Sequence, residues 1–186
     1  MPMSSEEHVL AQRLGTTVHV SPLRMKLKRL RLEYPSPSAA CLEDWLVDVA
    51  NERGARIVFR EDRTGDAPVD LPKSRLADEE LIVAICELQN RDRPQMLRLA
   101  AQLISRQAVN LQRLCHVAEQ ERAGIVLAEL ARQALKVDKE HATWQAIARR
   151  FAHERPPRDT LLHWSRLAEP VMKNGRCDAQ RWELVA

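Results

Sequence analysis

The sequence has few glycines and lacks a long apolar run, and each shortage argues against a class of protein. Its 186 residues include five glycines, none arranged as a phosphate-cradling loop, which argues against a nucleotide-binding fold. No serine lies in the Gly-x-Ser-x-Gly elbow of hydrolases. No run of 18 apolar residues occurs, and "MPMSSEEHVLAQRLG" has two glutamates where a signal peptide needs a basic patch. We therefore expect a cytoplasmic protein without a membrane partner.

Cysteine and histidine occur without the spacing of a metal site. The four cysteines are Cys41, Cys86, Cys115 and Cys177, and no two of them form a Cys-x-x-Cys pair. We expect them to be reduced and mostly buried. No two histidines lie four residues apart, the spacing that would place two ligands on one helix face. The acidic residues between 61 and 70 lack the fixed spacing of a calcium loop. We expect neither a metal nor a cofactor.

Charge is distributed unevenly along the chain, although the formal net charge is only +3. Residues 19–34 contain five lysines and arginines against the single acidic residue Glu33. Residues 139–186 contain nine basic and six acidic side chains. Both segments are therefore basic, and the rest of the chain is acidic. Such an asymmetry indicates a polyanionic partner, for example a nucleic acid.

The first of these segments, which we call the basic strip, fits two structures. Its cations are Arg24, Lys26, Lys28, Arg29 and Arg31. The alternation of apolar and charged residues favours a strand with a bulge at Lys28-Arg29. A helix also fits, because it would gather four apolar side chains in one stripe, namely Leu23, Leu27, Leu30 and Tyr34. In either structure the cations form a face that is simply solvated or that contacts phosphates.

The N-terminal third combines a predicted helix with a predicted strand. Apolar spacing predicts a helix over 38–53, and Gly54 is placed to end it. Residues 55–62 resemble a strand, and residues 62–75 contain two prolines, a glycine and no apolar period, as a linker does. We place a boundary in that linker, between a small α/β region over 1–75 and a helical domain over 76–186.

Apolar residues in the central part of the chain follow a helical period. Four segments have apolar side chains at i, i+3, i+4 and i+7, and these sets begin at Leu81, Leu97, Leu111 and Leu127. Asp78 before two glutamates and Pro94 two residues after an aspartate are typical of helix starts. We predict a helical stack over 78–137 with a joint near Gly124. Residues 81–86 also fit a buried strand, but their flanks favour a helix.

The C-terminal part contains two short helical patterns separated by a polar turn. Trp144, Ile147 and Phe151 mark the first helix, and the second begins near Arg158. At these residues the chain resembles helix-turn-helix DNA-binding domains. "WQAIARRF" is similar to the first helix of that motif, and "RDTLLHWSRL" is similar to the recognition helix.

The segment after these helices extends the resemblance. Asn174-Gly175 is a tight-turn dipeptide, and it favours a hairpin similar to the wing of winged-helix domains. The resemblance covers about 125–186 and implies a supporting helix over 125–136. Arginine suits both phosphates and guanine edges. The residues implied to contact nucleic acid are Arg158, His163 and Arg166 on the recognition helix, and Lys173 and Arg176 near the wing.

Arg158 and His163 also match a motif of an enzyme family. Their spacing is that of the Arg-x4-His motif of HEPN-type helical ribonucleases. That resemblance implies that His163 is a general base on a ribose 2′-hydroxyl and that Arg158 stabilises the phosphorane charge. A chain so rich in arginine also produces this spacing by chance.

Together these patterns predict a mainly α protein. A small mixed α/β N-terminal region is followed by a helical stack, which ends in a winged-helix-like helix-turn-helix and a β-hairpin. The expected function is binding of duplex DNA, as a regulator or as an accessory subunit of a DNA-processing complex. The first alternative is a non-catalytic helical module that docks a protein, or a second copy of itself, through the central helices. The second alternative is the HEPN-like ribonuclease.

Overall fold

The described part of the protein is built from helices. A computed structural model describes residues 21–37, 39–55, 69–87, 94–106 and 108–154. These residues contain seven helices and no strand, which confirms the mainly α prediction. The helices are α1 (Pro22–Glu33), α2 (Leu42–Glu52), α3 (Asp78–Ile85), α4 (Pro94–Arg106), α5 (Leu111–Gln120), α6 (Gly124–Val137) and α7 (Ala142–Arg150).

The basic strip is the helix α1. The hydroxyl of Ser21 caps its first turn by accepting the Arg24 N–H at 2.9 Å, and Pro22 occupies the first helical position. Leu23, Leu27 and Leu30 are all buried in the core, as the predicted helical stripe requires. A strand would have buried Met25 together with Leu23 and Leu27, but Met25 is 45% exposed. The strand with a bulge is therefore wrong.

Helix α2 starts later than predicted and ends where expected. The Cys41 sulfur accepts the Asp44 N–H at 3.4 Å, so the cysteine takes the place of an oxygen-bearing cap. Gly54, with φ 91°, follows the helix in the left-handed region that glycine adopts most readily. The Trp45 indole is fully buried and donates to the Tyr34 carbonyl oxygen at 2.8 Å, which ties α2 to the end of α1.

The central segment is helical as far as Ile85, with Cys86 as its C-cap, so the alternative of a buried strand over 81–86 is wrong. Ala77 precedes α3, and the Glu80 carboxylate accepts its N–H at 2.9 Å. Every residue from Leu81 to Cys86 is buried, which explains why the segment has no polar face and why its periodicity was ambiguous. Arg53 donates to Asp78 Oδ1 at 2.7 Å and thereby links α2 to the start of α3.

Helices α4, α5 and α6 bury the stripes that their sequences predict. The buried residues of these stripes are Leu97, Ala100, Ala101, Ile104, Leu114, Cys115, Ala118, Leu127, Leu130, Ala131 and Ala134. Helix α6 begins at Gly124, which confirms the predicted joint. The turn before it contains Arg122 in the left-handed region, with φ 58°. Glu79, on α3, accepts the Asn110 N–H at 2.7 Å and fixes the start of α5.

One apolar cluster joins α1 and α2 to the later helices. Val69, Leu71 and Leu76 belong to it, although two of the three lie in the predicted linker. The boundary between 1–75 and 76–186 stays a prediction. Residues 56–62 of the predicted strand, and the C-terminal hairpin, lie outside the described residues. Within the described ranges, no helix is both long enough and apolar enough to cross a membrane.

Candidate nucleic-acid interface

The predicted nucleic-acid contacts form two groups, of which the structure describes one. The basic strip lies on α1. The five C-terminal residues, which are Arg158, His163, Arg166, Lys173 and Arg176, lie outside the described residues. The helices that lead to them, α6 and α7, are described as far as Glu154.

Helices α6 and α7 pack closely where the predicted motif begins. A Cβ atom placed on Gly124 would lie 2.9 Å from two ring carbons of Phe151, so this contact depends on the absence of a side chain at 124. Trp144 and Ile147 are fully buried, and the Trp144 indole donates to Ser105 Oγ at 3.2 Å. Ala148 is partly buried against the same core. The pair thus packs against α4 and α5.

A partly buried polar network on α6 contacts the turn that follows α7. Arg132, on α6, donates to the Glu154 carbonyl oxygen and to the Glu129 carboxylate. Gln133 donates to the other Glu129 oxygen at 2.6 Å, and Lys136 donates to Gln133 at 2.9 Å. Glu129 is buried, and Arg132 and Gln133 donate hydrogen bonds to both of its carboxylate oxygens. Sequence reasoning missed this network, whose only signal was the spacing of polar residues three and four apart along an apolar helix.

The last turn of α7 and the following turn present basic side chains. Arg149 is exposed and donates through Nε to the Gln145 carbonyl oxygen at 3.3 Å. Arg150 pairs with Glu119 on α5 at 2.5 Å, so its charge is compensated. His153 lies 3.6 Å from the Glu154 carboxylate. Among the residues described at this edge, Arg149 is the cation without a carboxylate partner.

The basic strip is largely engaged with the protein itself. Arg24 pairs with Glu87 at 3.0 Å, and Lys26 contacts both Glu80 oxygens at 2.7 and 2.9 Å. These pairs join α1 to α3 and to the second residue after it. They are partly buried, which makes them more persistent than exposed ion pairs. Two of the five predicted contacts are therefore neutralised within the fold.

The remaining three cations of the strip differ in their partners. Arg29 pairs with Glu33 at 3.5 Å in an exposed i, i+4 arrangement. Arg31 donates to the carbonyl oxygens of Ala39 and Ala40, at 3.1 and 2.9 Å, so its charge faces neutral acceptors. Lys28 is exposed and has no carboxylate partner among the described residues. Lys28 and Arg31 are thus the strip's uncompensated charges in the described part of the chain.

The two carboxylates beside the strip respond to it in opposite directions. Burial alone would raise the pKa of Glu80, but Lys26, the Ala77 N–H and Arg113 stabilise the anion and hold the pKa below its ordinary value of 4.5. Burial also raises the pKa of Glu87, and there Arg24 only partly offsets it while Glu121 adds to it. The cations of the strip therefore outweigh burial at Glu80 and do not outweigh it at Glu87.

A groove of about 590 Å³ runs between the outer side of α1 and the start of α2. Its apolar lining comes from Leu32, Pro35, Ala39 and Leu42. Polar and charged lining comes from Arg24, Lys28, Arg31, Ser36 and Glu43. The two uncompensated cations of the strip therefore border an apolar surface rather than a continuous basic one.

A second cavity, of about 480 Å³, lies between α5 and α7. Its lining includes Cys115, His116 and the Glu119–Arg150 pair. Burial raises the pKa of the Cys115 thiol, and the nearby Arg150 offsets this only in part, so the thiol is protonated at neutral pH and is a poor nucleophile. The described residues contain no group of three side chains that could hold a metal ion.

Comparisons with protein-family models, with curated proteins and with solved structures found no match to this chain.

Proposed function

We propose that the protein binds duplex DNA through its C-terminal part, as a regulator or an accessory subunit of a DNA-processing complex. The observation that supports this most directly is the packing of α6 against α7. A helix-turn-helix needs a first helix held firmly on a supporting helix, so that the next helix is presented at a fixed angle. The Gly124–Phe151 contact and the hydrogen bond from Arg132 to Glu154 supply that firmness just before the predicted recognition helix.

In this proposal each basic residue has a distinct task. Arg158 and Arg166 reach guanine edges or phosphates from the recognition helix, with His163 on the same face. Lys173 and Arg176 contact the DNA backbone from the wing. The exposed Arg149 adds positive charge where the duplex would pass α7.

The basic strip has at most a minor part in this proposal. Arg24 and Lys26 would have to give up Glu87 and Glu80 before they could bind a phosphate. Each of those pairs is partly buried, so breaking it would cost free energy. A solvated contact with a phosphate would offset only part of that cost. Only Lys28, Arg29 and Arg31 of the strip are left to contact the phosphates of the DNA backbone.

The test is fluorescence anisotropy of labelled random duplex DNA at low and near-physiological salt. For Arg158→Ala/Arg166→Ala we expect affinity for random duplex at low salt to fall at least tenfold, since each hydrogen bond to a charged phosphate is worth about 1.5–3 kcal/mol. The slope of log affinity against log salt should become shallower by about 2, because two phosphate-neutralising cations are lost.

The matched control is Arg75→Ala/Arg113→Ala, which removes two exposed arginines elsewhere on the surface. It should leave both the affinity and the salt dependence nearly unchanged. Absence of salt-dependent duplex binding by the unaltered protein would refute the proposal. Cleavage of single-stranded RNA in a parallel assay, lost in His163→Ala with the fold retained, would favour the ribonuclease alternative.

A further inference from the structure

Large apolar side chains are exposed at one place in the part of the chain that the structure describes. Met25 is 45% exposed and Leu32 is 84% exposed. No other large apolar residue of the described ranges is classed as exposed. Both lie on α1 and are seven residues apart, so they share one outward face. Single exposed leucines are common, but the pairing of both on one face defines an apolar patch.

Leu32, the more exposed of the two, also lines the groove between α1 and α2. Leu32 forms one side of that groove, and Leu42 and Ala39 form part of the other. Leu42 and Ala39 are partly buried and pack against the core, which gives the groove a firm apolar wall. A side chain of leucine or phenylalanine size could therefore be removed from water between the two helices.

Two cations without a described carboxylate partner border this apolar surface, which Glu43 also lines. Lys28 is exposed beside it, and Arg31 is held at its edge by the carbonyl oxygens of Ala39 and Ala40. Neither cation has a carboxylate partner among the described residues. Since neutral carbonyl oxygens orient the Arg31 guanidinium without cancelling its charge, the groove keeps a positive edge next to its apolar wall.

We propose that this groove docks an acidic amphipathic helix of a partner protein. The apolar side chains of that helix pack against Leu32 and Leu42, and its carboxylates pair with Lys28 and Arg31. This is the helix-in-groove mode, in which apolar anchors recur every three or four residues. A nucleic acid fits less well, because a phosphate backbone offers nothing to cover the exposed Leu32.

The first experiment selects helical peptides from a random display library on the immobilised full-length protein. We expect the enriched peptides to combine glutamate or aspartate with leucine or phenylalanine at helical spacing. The most enriched peptide is then synthesised with a fluorescent label and titrated with the protein variants by anisotropy. Lys28→Glu and Leu32→Ser should each weaken its binding about tenfold, the former by reversing a contact charge and the latter by removing an apolar anchor.

Lys139→Glu is the matched control, because it makes the same charge change at an exposed lysine near the start of α7, far from the groove in the chain. It should bind the peptide as the unaltered protein does. The proposal is overturned if selection enriches no acidic peptide or if all three variants weaken binding equally. It is also overturned if Lys28→Glu weakens duplex DNA binding while Leu32→Ser leaves every interaction unchanged. Self-association of the protein that Leu32→Ser abolishes would mean that a second copy fills the groove, and would overturn it as well.

Discussion

Glu80 and Glu87 are two carboxylates that meet the same basic helix and acquire opposite pKa shifts. Glu80 accepts from Lys26 and from the Ala77 N–H, so its anion is well stabilised. Glu87 is paired with Arg24 but lies in a more desolvating position near the Glu121 carboxylate. At the scale of single residues, an ion pair alone does not determine the direction of a shift, because burial works against it.

The lowered pKa of Glu80 makes its contribution to stability depend on pH. A carboxyl group whose folded-state pKa is below its unfolded value stabilises the fold above the unfolded pKa, and this contribution disappears as the pH falls through the folded pKa. We expect Glu80→Gln to lower the free energy of unfolding by about 1–3 kcal/mol at neutral pH, through loss of charge-assisted hydrogen bonds. Below pH 4.5 the difference should shrink progressively in urea titrations.

Glu87→Gln is the control for this experiment, because its pH dependence should have the opposite sign. The folded-state pKa of Glu87 is raised, so the fold pays increasingly for ionising this group as the pH rises above 4.5. The loss in free energy of unfolding that Glu87→Gln causes should therefore decrease toward neutral pH. If both substitutions gave the same pH dependence, the contrast between the two carboxylates would be refuted.

At the scale of the element, α1 has a buried inner face and an exposed outer face. Substituting one leucine on each face tests this assignment. Leu27 is buried on the inner face, and Leu32 is 84% exposed on the outer face. We expect Leu27→Ala to cost about 2–5 kcal/mol, because it leaves a cavity in a packed core. Leu32→Ala should change stability by less than about 0.5 kcal/mol, since its side chain has little contact to lose.

Urea unfolding followed by circular dichroism measures both substitutions under one set of conditions. The two variants remove the same number of atoms from the same helix, so helix propensity is matched between them. A large cost at Leu32 would mean that this side chain is covered in the folded protein. That result would refute both the assignment of Leu32 to the exposed face of α1 and the proposal that the groove docks a partner helix.

Sequence periodicity predicted the helices whose apolar residues fit only the helical period. It did not decide whether α1 is a helix or a strand. The apolar stripes of α4 and α5 alternate with polar residues at helical spacing, so the helical period was the only one that fitted. In α1, leucines and cations alternate closely enough to satisfy both a period of 2 and a period of 3.6. Only the depth of Met25 relative to Leu27 separates the two structures, and depth is a property of the tertiary fold.

Partners that are distant along the chain could not be predicted from spacing. The Arg24–Glu87 pair joins residues 63 apart, and the Glu121 carboxylate accepts the Leu23 N–H from a position 98 residues away. These contacts decide that much of the basic strip is compensated, which the local charge pattern could not reveal. For the C-terminal candidates, Arg158 to Arg176, the sequence remains the basis of the prediction.

At the scale of the whole molecule, contacts cross the boundary that the sequence predicts between 62 and 75. Leu23 and Leu27 share an apolar cluster with Trp144. The N-terminus of α1 is capped by Glu121, and Arg53 reaches both Asp78 and the Leu76 carbonyl oxygen. Burial of apolar area across the boundary couples the two sides energetically, because neither can unfold without exposing surface of the other.

We therefore expect the helices on both sides of this boundary to unfold together. Pulsed hydrogen exchange at increasing urea, read by mass spectrometry, should label peptides from α1–α2 and from α6–α7 at one common midpoint. Leu27→Ala should lower both midpoints equally, although the substituted residue lies only in α1. Two separate midpoints, with Leu27→Ala shifting only the first, would instead establish two independently stable domains. In that case the apolar cluster would be an interface between domains rather than a single cooperative core.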